Sequence, residues 1–186
     1  MTQITTPQIA GLPHRALIRI SGHDWATFLK GLCTAYIDEI VAEGADGVYG
    51  RLHYGAFLRP QGKLIGDCLL QLVAADDIWL DVASSVRDEL LSKLNMYKLR
   101  AKVTIAKLEA IAVTVSWGVA APTGAASDMR FARAGVDLFR EAGASGNPDI
   151  APYTALRIAH GISGGAEDGD ATDFFPHDLL LDRNGG

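Results

Sequence analysis

Residues 55–70, Gly-Ala-Phe-Leu-Arg-Pro-Gln-Gly-Lys-Leu-Ile-Gly-Asp-Cys-Leu-Leu, carry the clearest structural signal in this chain of 186 residues. Pro60 and Gly62 are typical of a tight turn, and the apolar residues on both sides favour extended backbone. The sequence therefore predicts strands over residues 48–58 and 64–73, joined by this turn. The pair Asp76 and Asp77 then separates the second strand from a third, which completes a second hairpin.

Helices are predicted on both sides of these strands. Ser21 with Asp24 is typical of a capping box, and apolar residues at helical spacing follow it: Trp25, Phe28, Leu29 and Leu32. Ser85 with Asp88 predicts the start of a second helix, and residues 101–105 predict a further strand. Because three strands follow one another too closely for crossover helices, we expect an antiparallel α+β arrangement.

The second half of the chain carries weaker signals. Residues 111–119 are strongly β-prone, residues 136–139 less so, and residues 153–160 have helical character. Residues 161–173 are acidic and rich in glycine, so we expect them to lie outside the core.

The composition limits the classes of partner. A net charge of -5 argues against broad contact with nucleic acid or anionic lipid, so we expect a small ligand or a protein partner. Cys33 and Cys68 have no closely spaced mates, and no metal site can be written from them. The first twelve residues lack the features of a secretory signal, and no apolar stretch approaches the ~20 residues of a membrane span. These observations favour a cytoplasmic location.

Two groups of polar residues are candidates for ligand binding. Strand alternation places Asp67 on one face with Ile65 and Leu69, either as a half-exposed strand residue or as a positioned acid for a polar ligand. Lys98, Arg100 and Lys102 alternate along the predicted strand that follows the second helix. They form either a solvated strand face or an attractive surface for an anionic tail such as polyglutamate.

Four stretches, taken together, resemble a known family. They are residues 18–33, with Ile-Arg-Ile-Ser-Gly and Phe-Leu-Lys-Gly; residues 55–70, quoted above; residues 97–105, Tyr-Lys-Leu-Arg-Ala-Lys-Val-Thr-Ile; and residues 153–161 with Phe-Pro-His at 175–177. In order and spacing they are similar to the YgfZ family of the glycine-cleavage T-protein (aminomethyltransferase) superfamily. The resemblance spans nearly the whole chain.

The resemblance implies a T-protein/YgfZ-like folate-binding fold. In that fold a ferredoxin-like antiparallel lobe, here residues 22–107, is inserted into a discontinuous first lobe, here residues 1–21 and 108–186. The family also has a C-terminal barrel lobe and the signature Lys-Gly-Cys-Tyr-x-Gly-Gln-Glu, and this sequence contains neither. Asp128 and Arg130 match an Asp and Arg stretch of the family.

The same resemblance implies a site. Asp67 matches the catalytic Asp that faces the folate in the aminomethyltransferases, and we assign Asp67, Tyr54, Arg100 and Arg157 to folate binding. Those enzymes carry a pterin-binding Glu after Leu-Arg-Leu, whereas this chain has Ala159 there. A methyl side chain offers no hydrogen-bond acceptor, which argues against aminomethyl transfer.

The expected function is therefore a tetrahydrofolate-binding accessory protein in iron-sulfur cluster assembly or repair, without turnover. Its expected partners are folate and iron-sulfur assembly or client proteins, with no nucleic acid and no membrane. Two alternatives stay open: a folate-dependent aminomethyl or methyl transferase, and a degenerate or truncated relative that binds nothing.

Overall fold

The computed structural model describes residues 8–165, 168 and 174–185, and within them a single sheet of nine strands. The strands are β1 (Gln8–Gly11), β2 (Arg15–Ser21), β3 (Arg51–Leu58), β4 (Leu64–Ala74), β5 (Asp77–Ala83), β6 (Thr104–Leu108), β7 (Val113–Trp117), β8 (Ala126–Asp128) and β9 (Leu138–Ala142). Their order across the sheet is β1-β7-β9-β8-β3-β4-β5-β2-β6. Neighbouring strands are antiparallel, except for the short parallel contact between β3 and β8.

The hairpin predicted from residues 55–70 is present as β3 and β4. Tyr54 lies opposite Leu69, and Ala56 lies opposite Asp67. Strand β5 then pairs antiparallel with β4, so the second predicted hairpin is also confirmed.

The described helices are α1 (Trp25–Lys30), α2 (Ile37–Ala45), α3 (Arg87–Tyr97), α4 (Met129–Arg133), α5 (Ala151–Ala159) and α6 (Leu181–Asn184), with a 3-10 helix at Pro176–Leu179. Helix α1 buries Trp25, Phe28 and Leu29, as the spacing predicted. Helix α2 was not predicted. Its Ile37 and Ile40 are buried three residues apart, and acidic residues in its first turn favour the helix start.

Both faces of the sheet are covered. On one face Ile18, Leu70 and Leu80 pack with α1, α2 and α3 in one apolar cluster. On the other face Leu52, Tyr54 and Leu69 pack against Leu179 and Leu181, close to the chain end. Strand alternation thus directs every second residue of β4 towards the second half of the chain.

Neither predicted capping box forms. Asp24 stands at the N-cap of α1, but its carboxylate accepts a hydrogen bond from the Lys102 amide, 2.8 Å away, instead of capping the helix. Helix α3 starts after Val86, again without a side-chain cap. Asp88 pairs with Arg87 and Lys107 instead. Asp24 thus binds a distant backbone amide, and Asp88 binds its neighbour Arg87 and the more distant Lys107.

The acidic, glycine-rich segment is partly buried, contrary to expectation. Residues 162–165 are buried, whereas residues 166, 167 and 169–173 lie outside the described part of the chain. Glycine leaves room for close packing, so this part of the segment lies against the sheet although it has few apolar side chains.

The α+β class is confirmed, and the division into two lobes stays a prediction. Strand β2, which the sequence assigned to the first lobe, pairs with β5 and β6, which it assigned to the inserted lobe. Within the described ranges, no helix combines the length and the apolar character that crossing a bilayer requires.

Candidate functional site

Asp67 is buried near the middle of the sheet, with 2% of its surface exposed. It lies on β4 on the face that carries Leu69, whereas Ile65 belongs to the apolar cluster on the opposite face. The strand pairing shifts register between Phe57 and Leu58, which breaks the simple alternation between Ile65 and Asp67. The prediction that all three share one face is therefore wrong for Ile65.

The carboxylate of Asp67 has one unsatisfied oxygen. Its Oδ1 is buried and accepts no hydrogen bond from any described residue, and Nη1 of Arg15 lies 3.9 Å from it, beyond hydrogen-bond distance. A buried acceptor without a donor costs about 1–3 kcal/mol, and such groups mark positions where a ligand can supply the missing bond.

Tyr54 lies beside this carboxylate. Burial, with the charge of Asp67 as the next cause, raises the pKa of Tyr54 well above its ordinary value. The phenol therefore stays protonated and is available as a donor. Within the part of the chain that the structure describes, its buried hydroxyl has no well-formed hydrogen bond, and Ser163 is close enough to interact with it. The guanidinium of Arg130 covers the Tyr54 ring at 4.8 Å from its centroid.

A buried loop, residues 162–165, brings Arg157 to the same place. Arg157 donates to the Ile162 carbonyl over 3.4 Å and pairs with Asp168 at 2.7 Å. A Cβ on Gly164 would lie 2.6 Å from Cζ of Arg157, and a Cβ on Gly165 would lie 2.6 Å from Oδ2 of Asp67. The loop can pass between these two side chains only because Gly164 and Gly165 carry no Cβ.

Arg100 does not join this group. Residues 98–103 precede β6 and are not part of a strand, so Lys98, Arg100 and Lys102 do not form the expected strand face. Arg100 is exposed, and among the described residues no contact connects it with Asp67. The structure therefore brings together Asp67, Tyr54 and Arg157, and leaves Arg100 outside.

A network of buried charges lies behind the site. Arg15 donates from Nε to Asp81 over 2.7 Å, and Arg140 bridges Asp81 at 2.8 Å and Asp128 at 3.2 Å. Arg130 completes the chain with a 2.7 Å contact to Asp128. Mutual pairing makes it tolerable to bury these charges in the protein interior.

The network keeps its carboxylates ionised. Burial by itself raises the pKa of Asp81 and Asp128, but the flanking arginines outweigh it and hold both pKa values below the ordinary range. Sequence reasoning noted Asp128 and Arg130 only as family matches and missed the network. The sequence did contain a sign of the network, because charged residues in β2, β5 and β9 occupy positions at which strand alternation predicts apolar residues.

Two cavities bear on ligand access. One of about 240 Å³ adjoins the buried loop and is lined by Arg157, Ser163 and Asp168 among others. A larger one of about 670 Å³ lies elsewhere and is lined by Arg15 but not by Asp67. Asp67 is therefore closed off in this structure, and a ligand could reach it from the smaller cavity only if the loop moved.

No family model matches the chain. Among curated proteins, it is 26% identical over 197 residues to an iron-sulfur cluster assembly factor, the mitochondrial IBA57 homolog of Mycosarcoma maydis, covering 96% of this chain and 49% of the relative. It is 37% identical over 100 residues to the mitochondrial assembly factor IBA57 of Mus musculus, covering 50% of this chain and 28% of the relative. The chain thus spans about half or less of the length of these relatives.

The expectation of a cytoplasmic location is contradicted by this comparison, because these relatives are named as mitochondrial proteins. The sequence argument excluded a secretory signal and a membrane span. Neither exclusion separates the cytoplasm from the interior of an organelle.

The fold has a counterpart among solved structures. The aminomethyltransferase T of the glycine cleavage system from Bartonella henselae superposes with a TM-score of 0.55 at 12% identity, covering 82% of this chain and 45% of that chain. At this identity the likeness concerns the fold alone. The chain is thus similar in sequence to iron-sulfur cluster assembly factors and similar in fold to a glycine-cleavage aminomethyltransferase.

Proposed function

We propose that this chain is a tetrahydrofolate-binding accessory protein in iron-sulfur cluster assembly or repair. Relatives named as iron-sulfur cluster assembly factors support the assembly role and partners among iron-sulfur proteins. The observation that carries the folate assignment is the convergence of Asp67, Tyr54 and Arg157 on one buried loop, with an unsatisfied carboxylate oxygen at its centre.

The chemistry of this group suits a pterin. A pterin ring presents several N–H donors along one edge, and Oδ1 of Asp67 is a charged acceptor without a donor. Tyr54 is a protonated phenol that can donate to a ring nitrogen or carbonyl. Folate would enter after Gly164 and Gly165 move away from Arg157 and Asp67, which opens the path from the 240 Å³ cavity.

Binding without turnover is the favoured form of this function. Ala159 is exposed at the end of α5 and offers no acceptor where the aminomethyltransferases have Glu. The folate would then be held by fewer charged contacts than in the aminomethyltransferases. The folate-bound chain would act through its iron-sulfur partners.

The test is a titration of the protein with tetrahydrofolate under anaerobic conditions, measured by isothermal titration calorimetry. Because a hydrogen bond to a charged group contributes about 1.5–3 kcal/mol, Asp67→Asn should weaken binding about 10-fold to 100-fold. Asp76→Asn makes the same chemical change at an exposed side chain and should leave the affinity unchanged. Absence of saturable binding at about millimolar ligand would refute the folate assignment and favour the non-binding alternative.

The assembly role has its own test. In cells that lack this chain, the activity of iron-sulfur enzymes in extracts should fall, and the wild-type chain should restore it. Restoration by Asp67→Asn to the wild-type level would separate the assembly role from folate binding.

Two points favour a second function, folate-dependent aminomethyl transfer. Asp67 matches the catalytic Asp of the aminomethyltransferases, and the fold resembles the Bartonella enzyme. Release of ammonia or formaldehyde from an aminomethyl or methylated amine donor, dependent on folate and lost in Asp67→Asn, would establish this function in place of the first.

A further inference from the structure

The 670 Å³ cavity lies apart from the residues assigned to folate. It is formed by the β1–β2 connection, the β6–β7 connection and residues 145–148, with Ser84 and Arg87 on another side. These two connections run between strands at opposite ends of the sheet order, so the cavity marks where the curled sheet fails to close. Its volume falls within the roughly 300–1,000 Å³ of small-molecule sites.

Arg15 is a buried cation among the residues that line this cavity. Only 7% of Arg15 is exposed, and its Nε and Nη2 donate to Asp81. Nη1 makes no hydrogen bond to any described residue, and Oδ1 of Asp67 is 3.9 Å away. Arg15 is among the residues that line the cavity, and its Nη1 has N–H groups that could donate to a ligand within reach.

Arg87 supplies a second cation. It is the first residue of α3, where backbone amides lack a side-chain cap and carry the positive end of the helix dipole. Its one described partner is Asp88, whose exposed carboxylate also contacts Lys107 at 3.4 Å. Leu12, Ile111 and Val113 line the cavity as well, so an apolar body fits between the two arginines.

We propose that this cavity is a binding site for a small organic oxyanion, a carboxylate or phosphate ester with an apolar body. Arg15 Nη1 and Arg87 bind the oxyanion, since the guanidinium fork matches the geometry of both head groups. The bound oxyanion and the Asp67 carboxylate would both interact with Arg15, so the negative charge of Asp67 weakens binding of the oxyanion. Asp67, Tyr54 and Arg157 do not line this cavity, so the proposal does not depend on the folate assignment, and the two sites interact only through the charge of Asp67.

The experiment is a titration of the ¹⁵N-labelled protein, observed by NMR, with benzoate and phenyl phosphate as probes. Benzamide serves as the neutral counterpart of benzoate. We expect saturable shifts with both anions, confined to residues 11–16, 84–87, 108–114 and 145–148, and about tenfold weaker binding of benzamide. Arg87→Gln should weaken benzoate about tenfold, whereas Arg51→Gln, at an exposed arginine paired with Glu43, should not.

Asp67→Asn gives the sharpest outcome, because it removes the negative charge that competes for Arg15. Benzoate binding should tighten severalfold, while the proposed folate binding weakens in the same variant. Ala112→Phe fills the cavity and should abolish the shifts. Equal binding of benzamide and benzoate, or no saturation by about 20 mM benzoate, would overturn the site. Displacement of benzoate by tetrahydrofolate would place folate in this cavity and would refute the proposal that the oxyanion has a site of its own.

Discussion

Replacing Gly165 by alanine tests whether the buried loop covers Asp67 in solution. Gly165 has φ +61, and an added Cβ would lie 2.6 Å from Oδ2 of Asp67 and closer to the rest of the carboxylate. The left-handed backbone costs an L-residue about 1–2 kcal/mol. Separating the loop from the carboxylate by about 1 Å adds the cost of overpacking, about 1–3 kcal/mol. We expect the free energy of unfolding to fall by about 2–5 kcal/mol.

Gly124→Ala is the matched control. Gly124 has φ +83, but a Cβ there meets nothing within 4 Å, so only the backbone cost applies. Urea unfolding followed by tryptophan fluorescence measures both variants against the wild type. Gly165→Ala should be less stable than Gly124→Ala by about 1–3 kcal/mol. Equal losses would show that the loop does not pack on Asp67, and the closed site described above would be incorrect.

Three further predictions concern the buried network and the surface. Asp128→Asn removes the negative charge that pairs with buried Arg130 and Arg140, and in urea unfolding it should lower the free energy of unfolding by about 3–5 kcal/mol. The control Asp38→Asn, at an exposed carboxylate, should change it by less than about 1 kcal/mol. The pKa values of Asp81 and Asp128 in the folded protein lie below their unfolded values near 3.9. Their contribution to stability should therefore be complete above about pH 5 and should be lost as the pH falls further. A free energy of unfolding that stays constant from pH 5 to about pH 2.5 would contradict this prediction. Leu99→Gly should raise the melting temperature slightly, because Leu99 is 87% exposed with φ 43 and glycine relieves about 1 kcal/mol of backbone strain; an unchanged or lower melting temperature would count against it.

The predicted parts of the fold are those whose signals are local. Pro60 and Gly62 place a turn between two apolar segments, and the β3–β4 hairpin follows from that pattern. The helix caps were predicted wrongly because the Asp24 and Asp88 carboxylates bind other groups instead of the helix amides. Lys102 binds Asp24, which lies 78 residues away in sequence.

The candidate site was predictable only in part. Asp67, Tyr54 and Arg157 lie on or beside one buried loop, and their role in binding folate remains a proposal. Arg100 does not join them, because α3 ends and leaves it in an exposed segment before β6. The register shift beside Phe57 separated Ile65 from Asp67, and a register shift carries no reliable signal in a single sequence.

The sequence alone predicted the α+β class, the hairpins and the superfamily resemblance. The first two depend on turn residues and periodicity, and the third depends on the order of short stretches along the chain. The tertiary structure decided which charges are buried and which atoms remain unsatisfied. Arg15 and Asp81 meet across 66 residues, and Arg140 joins them from the second half of the chain. The pairing of buried charges depends on distance in space, and an individual sequence position does not encode that distance.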